Sequence, residues 1–436
     1  MKTAARSTPS RKWLTAVVAN SAGEIFELEE YAAVGMSGTA LKPLKVHETR
    51  RMPFGSELML LPGRTPILYD LQKNQFEVMT HNPYQPSERI YPVAAFNSPG
   101  YIVTHVSGYQ DARHAKPLPL FSYGAVGWSQ DGFRSAVICV DRERRQDLRL
   151  MKKRHVIAGL ERMRKKLPGN RLRKHLETCA LTYGCPAGKN FFLGRYEAPL
   201  PTATACNARC LGCLSLQDNE EISCSQERIS FTPRPEEIAA VALAHLETVS
   251  KGIVSFGQGC EGDPLLATRV IKPAVRLIRS KTPKGTIHVN TNGSLTKQLE
   301  QLISAGIDSV RISINSFRKP LYHAYFRPMD YHFSDVVNSI ELSLKKDLYV
   351  SINYLNMPGV TDTPQELESL LLFIRRYPIH RIQWRNLNFD ALRYYEAMHR
   401  SAPSGDALGV SSLLNQIQKE FPCLSHGYFN PPKENW

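Results

Sequence analysis

From about residue 198 onward, short apolar runs alternate with longer stretches in which apolar residues recur every three to four positions. The runs 252–258 (GIVSFGQ), 286–292 (TIHVNTN), 309–316 (SVRISINS), 349–357 (YVSINYLNM) and 381–388 (RIQWRNLN) read as strands. One more strand is expected just ahead of Cys206, which makes six. Between them, 235–250, 267–281, 295–305, 333–346 and 363–377 carry the helical period. Thr363-Pro364 followed by Glu366 marks a helix start, because proline suits the first turn, where no intrahelical N–H is needed. Strands alternating with helices of this length predict an α/β fold, a partial (β/α)6 TIM-like barrel over 198–395.

Upstream, 13–140 has a different rhythm. The segments 26–31, 58–61, 66–71, 101–106 and 136–140 are strand-like, and Pro62-Gly63, Pro99-Gly100 and Asp131-Gly132 are turn signals. A small β-rich N-terminal domain is expected there. The stretch 13–22 (WLTAVVANSA) resembles the apolar core of a signal sequence, but it is short and reads better as a strand turning at Ser21-Ala22-Gly23. Residues 1–12 are basic and polar and are expected to be disordered. A basic helical linker at 141–197 and a C-terminal extension at 396–436 complete the division; Cys423 and His426 in the extension read as structural.

Composition narrows the class. The chain has 436 residues, 42% of them hydrophobic, enough for two domains with cores of their own. No apolar stretch approaches a membrane span. The net charge of +15 is concentrated, with fourteen Lys or Arg and three acids between Arg142 and His175. Leu148, Met151, Ile157, Leu160, Met163 and Leu167 lie among them, so an amphipathic basic helix or helix pair is expected. A solvated face packed by its apolar side is favoured over a nucleic-acid surface, since few aromatics are present to stack on bases.

The chemistry is in the cysteines. Nine are present, an odd number, mostly between Cys179 and Cys260, a pattern that suits metal ligation better than a disulfide framework. Cys206, Cys210 and Cys213 form a C-x3-C-x2-C triplet on one short loop. Three thiolates can hold three irons of a cubane and leave the fourth iron open to a ligand. The alternative is a tetrahedral zinc site completed by Cys224. The polar residues downstream fall at the C-terminal ends of the expected strands, where barrels of this kind place their chemistry.

This triplet resembles the signature of the radical S-adenosylmethionine (radical SAM) superfamily. The resemblance implies a 4Fe–4S cluster whose open iron binds S-adenosylmethionine (SAM), and a low-potential electron that cleaves SAM to methionine and a 5′-deoxyadenosyl radical. It also implies a reductant such as flavodoxin or ferredoxin and a reducing, cytoplasmic setting. Gly212 stands where the family often has an aromatic residue. Glu261-Gly262-Asp263-Pro264 looks like the family's Gly-Gly-Glu-Pro turn, with Glu261 in place of a glycine and Asp263 in place of a glutamate. Asn292 resembles the family's third-strand ending, and Ser313 and Asn315 stand where it holds the ribose hydroxyls. Asn353 completes the implied SAM pocket. Arg385, Asn386 and Asn388 are candidates for the SAM carboxylate or for polar groups of a substrate.

Cys179, Cys185 and Cys224 are candidates for an auxiliary iron–sulfur cluster, and Cys260, abutting the expected SAM site, is a candidate catalytic residue. The substrate is ranked as a small molecule or cofactor precursor first, then a peptide or protein, then RNA. The alternative from another class is a non-catalytic zinc or iron–sulfur module that binds nucleic acid through 142–175.

Overall fold

The computed structural model describes residues 12–436. The segment expected to be disordered, 1–12, lies outside them apart from Lys12. The architecture is α/β. Its parallel half-barrel contains β1 (Glu197–Pro199), β2 (Ile253–Phe256), β3 (Thr286–Thr291), β4 (Ser309–Ile314), β5 (Tyr349–Asn356), β6 (Arg381–Asn386) and β7 (Ser425–Gly427) in that order. Every pairing is parallel, and β1 and β7 are open edges. Six strands were expected. The seventh is only three residues long, too short to carry a period, and the register Arg381–Ser425 and Ile382–His426 recruits it to β6.

The two faces of the sheet differ in chemistry. Val254, Phe256, Ile287, Val289, Val310, Ile312, Val350, Ile352 and Ile382 point to the helices and form one buried core with them. Each such side chain contributes about 1.5–3 kcal/mol on burial. Alternation then turns Asn290, Arg311 and Ser351, and likewise Ser313, Asn353 and Gln383, to the concave face as polar rows in register. Five of the layering helices are Pro235–Leu246, Thr268–Lys281, Thr296–Ala305, Phe333–Lys345 and Pro364–Arg376. Pro364 opens its helix as expected. Glu366 does not cap it: the carboxylate is buried and accepts from Ser316 Oγ at 2.6 Å and from Tyr354 Oη. Helices at Lys319–Phe326, Ala391–Ser401 and Val410–Glu420 were not expected, and the boundary expected at 395/396 falls inside the second of these.

The N-terminal region is antiparallel β. Thr15–Asn20 lies almost wholly buried at its centre, between Ile25–Ala32 and Gln85–Phe96. The turn after it uses Gly23 at φ 85°, as the sequence suggested. This region packs over the ends of β4–β6. Met36, Leu61, Val106 and Tyr123 share a buried core with Leu321, Met357, Leu387 and Phe389. A buried ion pair, Arg64 Nη2 to Asp390 at 2.7 Å, crosses the same interface. Asn386 ties the strand Tyr101–Val103 down, accepting from Val103 N at 2.9 Å and donating to Tyr101 O at 3.0 Å. Asn386 is therefore occupied structurally rather than free for a ligand.

The linker segment folds as three helices, α1 (Lys153–Lys166), α2 (Arg171–Leu181) and α3 (Pro186–Leu193). Part of its positive charge is paired locally. Arg164 and Arg173 both reach Glu177, and Arg171 reaches Glu237. Among the described residues, no helix is long and apolar enough to cross a membrane.

Candidate functional site

Cys206, Cys210 and Cys213 sit half-buried on the loop that follows β1. Backbone bonds fix that loop to the end of the helix Lys319–Phe326 and the segment after it: Arg209 N to Phe326 O and Leu211 N to Tyr325 O, both at 3.0 Å, and Met329 N to Asn207 O at 2.9 Å. Burial pushes the Cys206 thiol up to about 11 and Cys210 well above the ordinary range, and Cys206 and Cys213 add to the rise at Cys210. The three sulfurs are thus within electrostatic reach of one another. They do not all lie within 4.8 Å of one another, a spacing that among the described residues only His175, Cys179 and Cys260 meet. A single tetrahedral zinc needs sulfurs about 3.8 Å apart. The triplet is splayed more widely, which suits a multinuclear cluster, and the donor set of three thiols fits one with an open iron.

Three residues around the loop gave no signal in the sequence. Asn207 accepts from Asn292 Nδ2 at 2.8 Å and donates to Ser294 Oγ at 2.9 Å, so it joins the cysteine loop to the turn after β3. Arg228 donates to Cys213 Sγ at 3.7 Å. Tyr325 stands at Gly212: a Cβ there would lie 3.2 Å from the Tyr325 hydroxyl. The aromatic group that is missing beside the third cysteine is supplied from another element. Only the resemblance pointed to that gap, and nothing in the sequence linked Tyr325 to it.

The turn after β2 is built from buried carboxylates. Glu261 accepts four backbone N–H bonds, from Thr202 and Ala203 at 2.8 and 2.9 Å and from Gly257 and Gln258 at 2.7 and 2.8 Å. Burial holds it up to about 7 despite these bonds. With both oxygens doubly used, Glu261 is a strut for the site; the expectation that it contacts SAM is corrected. Gly262 is needed because a Cβ would lie 1.9 Å from Ala205 O. Asp263 accepts from Thr291 Oγ at 2.8 Å, Asn292 N at 2.7 Å and Leu265 N at 3.0 Å, and so caps the short turn that Pro264 opens. Asn292 is likewise spent, donating to Asn207 and accepting from Ser294 N at 2.9 Å.

Further along the sheet, ligand-binding capacity is left over. Asn315 donates to Leu321 O at 3.0 Å, but its Oδ1 is buried without a partner, as is Oδ1 of Asn353. Buried acceptors of this kind cost on the order of 1–3 kcal/mol unless a donor arrives. Ser313 pairs with Asn353 in register and keeps some exposure on the concave face. Arg385 stacks on Tyr428, 4.0 Å from the ring centre, and among the described residues it makes no ion pair. Burial, then neighbouring Arg385, pushes Arg311 down to about 9. Asn430 closes the lower part of this face, accepting from Gln383 at 2.9 Å and donating to Glu197 at 2.8 Å.

The remaining thiols separate into two places. Cys224 is exposed, with Cys213 as a charged neighbour, so it does not join Cys179 and Cys185. Cys260 is buried against Cys179 and His175 of α2. Its thiol, expected to be catalytic, is engaged with the Cys179 sulfur. Hydrogen bonds from Cys260 and His175 lower the Cys179 thiol to about 5.

Comparison with known proteins agrees with this geometry. The family model of the Radical SAM superfamily matches residues 200–374. The chain is 29% identical over 182 residues to a GTP 3′,8-cyclase of Heliobacterium modesticaldum, which covers 40% of this chain and 50% of that protein. It is 22% identical over 227 residues to a GTP 3′,8-cyclase of Chlorobaculum tepidum, covering 52% and 62%. The chain thus spans about half the length of the curated relatives it matches. Among solved structures, methylornithine synthase (PylB) aligns with a TM-score of 0.38 at 13% identity, covering 65% of this chain and 74% of that one. Over residues 200–374 this chain is similar to the radical SAM superfamily.

Proposed function

We propose that this protein is a radical SAM enzyme in which Cys206, Cys210 and Cys213 hold a 4Fe–4S cluster and the concave face of β2–β6 holds SAM and a substrate. The observation that carries the reading is the splayed set of mutually interacting thiols beside the Asp263 turn, at the C-terminal ends of parallel strands. Such a cluster, when bound, supplies the electron that cleaves SAM to methionine and a 5′-deoxyadenosyl radical. The chain's own residues bind, orient and shield. Asp263, Gly262 and Pro264 fix the turn so that its backbone faces the ligand. The free oxygens of Asn315 and Asn353 accept from ligand hydroxyl or amino groups, with Ser313 beside them. Arg385, a half-buried cation with no ion pair among the described residues, takes the SAM carboxylate in a charge-assisted bond. Tyr325 covers the ligand beside Gly212.

The electron comes from a reductant of the flavodoxin or ferredoxin class. The substrate is a small molecule, in keeping with the N-terminal sheet that packs over the ends of β4–β6. GTP, which the GTP 3′,8-cyclases carry in their name, is also a small molecule. Electron paramagnetic resonance of the anaerobically reconstituted, reduced protein tests the reading. A reduced-cluster signal whose shape changes when SAM is added is expected. A signal indifferent to SAM, or none, would contradict it.

A further inference from the structure

The group formed by His175, Cys179 and Cys260 has no part in the chemistry proposed above. His175 and Cys179 are four residues apart on α2, so they share a face of the helix. Cys260 comes from the loop after β2, one residue before the strut Glu261. The ligating atoms of all three lie within 4.8 Å of one another, and Cys179 Sγ is 3.5 Å from His175 Nε2. With metal–sulfur and metal–nitrogen bonds of about 2.3 and 2.0–2.1 Å, a tetrahedral ion sets sulfur and nitrogen ligands about 3.6 Å apart. The measured separation matches that edge. Terminal thiolates on separate irons of a cubane stand farther apart than that edge. Cys179 and Cys260 are fully buried and His175 is half-buried, so bulk water has little access to an ion held there. Cys185 is a neighbouring thiol: it feels the charge of Cys179, and Cys260 feels its charge.

We propose that His175, Cys179 and Cys260 form a mononuclear site for a soft divalent ion of the zinc class, separate from the cluster triplet. Binding takes the neutral imidazole of His175 and two thiols. Both sulfurs bind the ion as thiolates, and any proton still held on a thiol leaves to solvent, with no electron transferred. The consequence is mechanical. The ion joins α2 to the loop that carries Glu261 and Asp263. Cys260 O also accepts from Ile229 N at 2.8 Å, so a third segment is held at the same point. The site braces the Asp263 turn from outside the barrel.

The test uses the full chain carrying Cys206→Ala, Cys210→Ala and Cys213→Ala, so that the triplet cannot take up the metal. After exposure to zinc and removal of loosely bound ion, about one zinc per chain is expected by elemental analysis. Adding Cys179→Ser or Cys260→Ser lowers that content on the order of tenfold or more. Cobalt titration of the triplet variant keeps the test independent of whether those further variants fold. Thiolate-to-cobalt charge transfer with intense tetrahedral ligand-field bands is expected at one equivalent. Absence of both zinc and the cobalt bands overturns the site. So does a Cys179–Cys260 disulfide in protein taken untreated from cells, or iron–sulfur absorption that depends on Cys179, which would make this an auxiliary cluster instead.

Discussion

Two groups of cysteines occupy this molecule, and the difference between them is one of spacing. Cys206, Cys210 and Cys213 follow one another along a single loop, yet their sulfurs are too far apart for one ion. Cys179 and Cys260 are 81 residues apart in the chain, yet with His175 they converge within the edge of a single coordination tetrahedron. Closeness in sequence therefore predicts that a loop can wrap around a cluster, while closeness in space predicts how many metals are held. The surroundings differ as well. The triplet lies at the strand ends beside buried acceptors without partners, as a reactive site requires. The second group lies against a helix, as a brace requires.

The comparison breaks most sharply at the triplet. Cys210→Ala is expected to abolish SAM cleavage, by more than about a hundredfold, and to remove most of the iron; product analysis and iron content check both. Next is the frame between the two groups. Gly262→Ala drives a methyl into Ala205 O, and Glu261→Gln leaves two of four backbone N–H donors without an acceptor. Each is expected to cost about 1–3 kcal/mol or more, read as a lowered unfolding midpoint together with weakened SAM binding. A smaller effect is expected at Arg385. Arg385→Ala removes one charged hydrogen bond, worth about 1.5–3 kcal/mol, so SAM affinity falls roughly ten- to a hundredfold while iron content holds; calorimetry with the reconstituted protein measures it, and unchanged affinity would free Arg385 for the substrate. Smallest is Cys224→Ser, expected to leave iron, zinc and SAM cleavage unchanged. A loss of either metal there would erase the division drawn above.

The sequence foretold much of this layout for a physical reason. Strands β2–β6 bury one face against helices, so a two-residue alternation and its helical partners are both imposed by burial, and their limits emerge within a few residues. β7 was missed because three residues carry no period and its register is set by β6. The triplet was legible because its spacing is local. The second group was only half legible: Cys179, Cys185 and Cys260 attracted notice as thiols, but His175 did not, since it belongs to a run of basic residues and its meaning depends on tertiary approach. The roles of Glu261 and Asn292 misled for a related reason. A turn that binds a ligand and a turn that holds another turn use the same residue types, and only the hydrogen-bond partners separate them.

The most direct measurement of the central claim is 5′-deoxyadenosine formed per chain, with metal content, after anaerobic reconstitution and reduction in the presence of SAM. About four irons per chain with SAM cleavage are expected, and about one zinc alongside. Zinc in the triplet, with no iron and no 5′-deoxyadenosine, would contradict that claim.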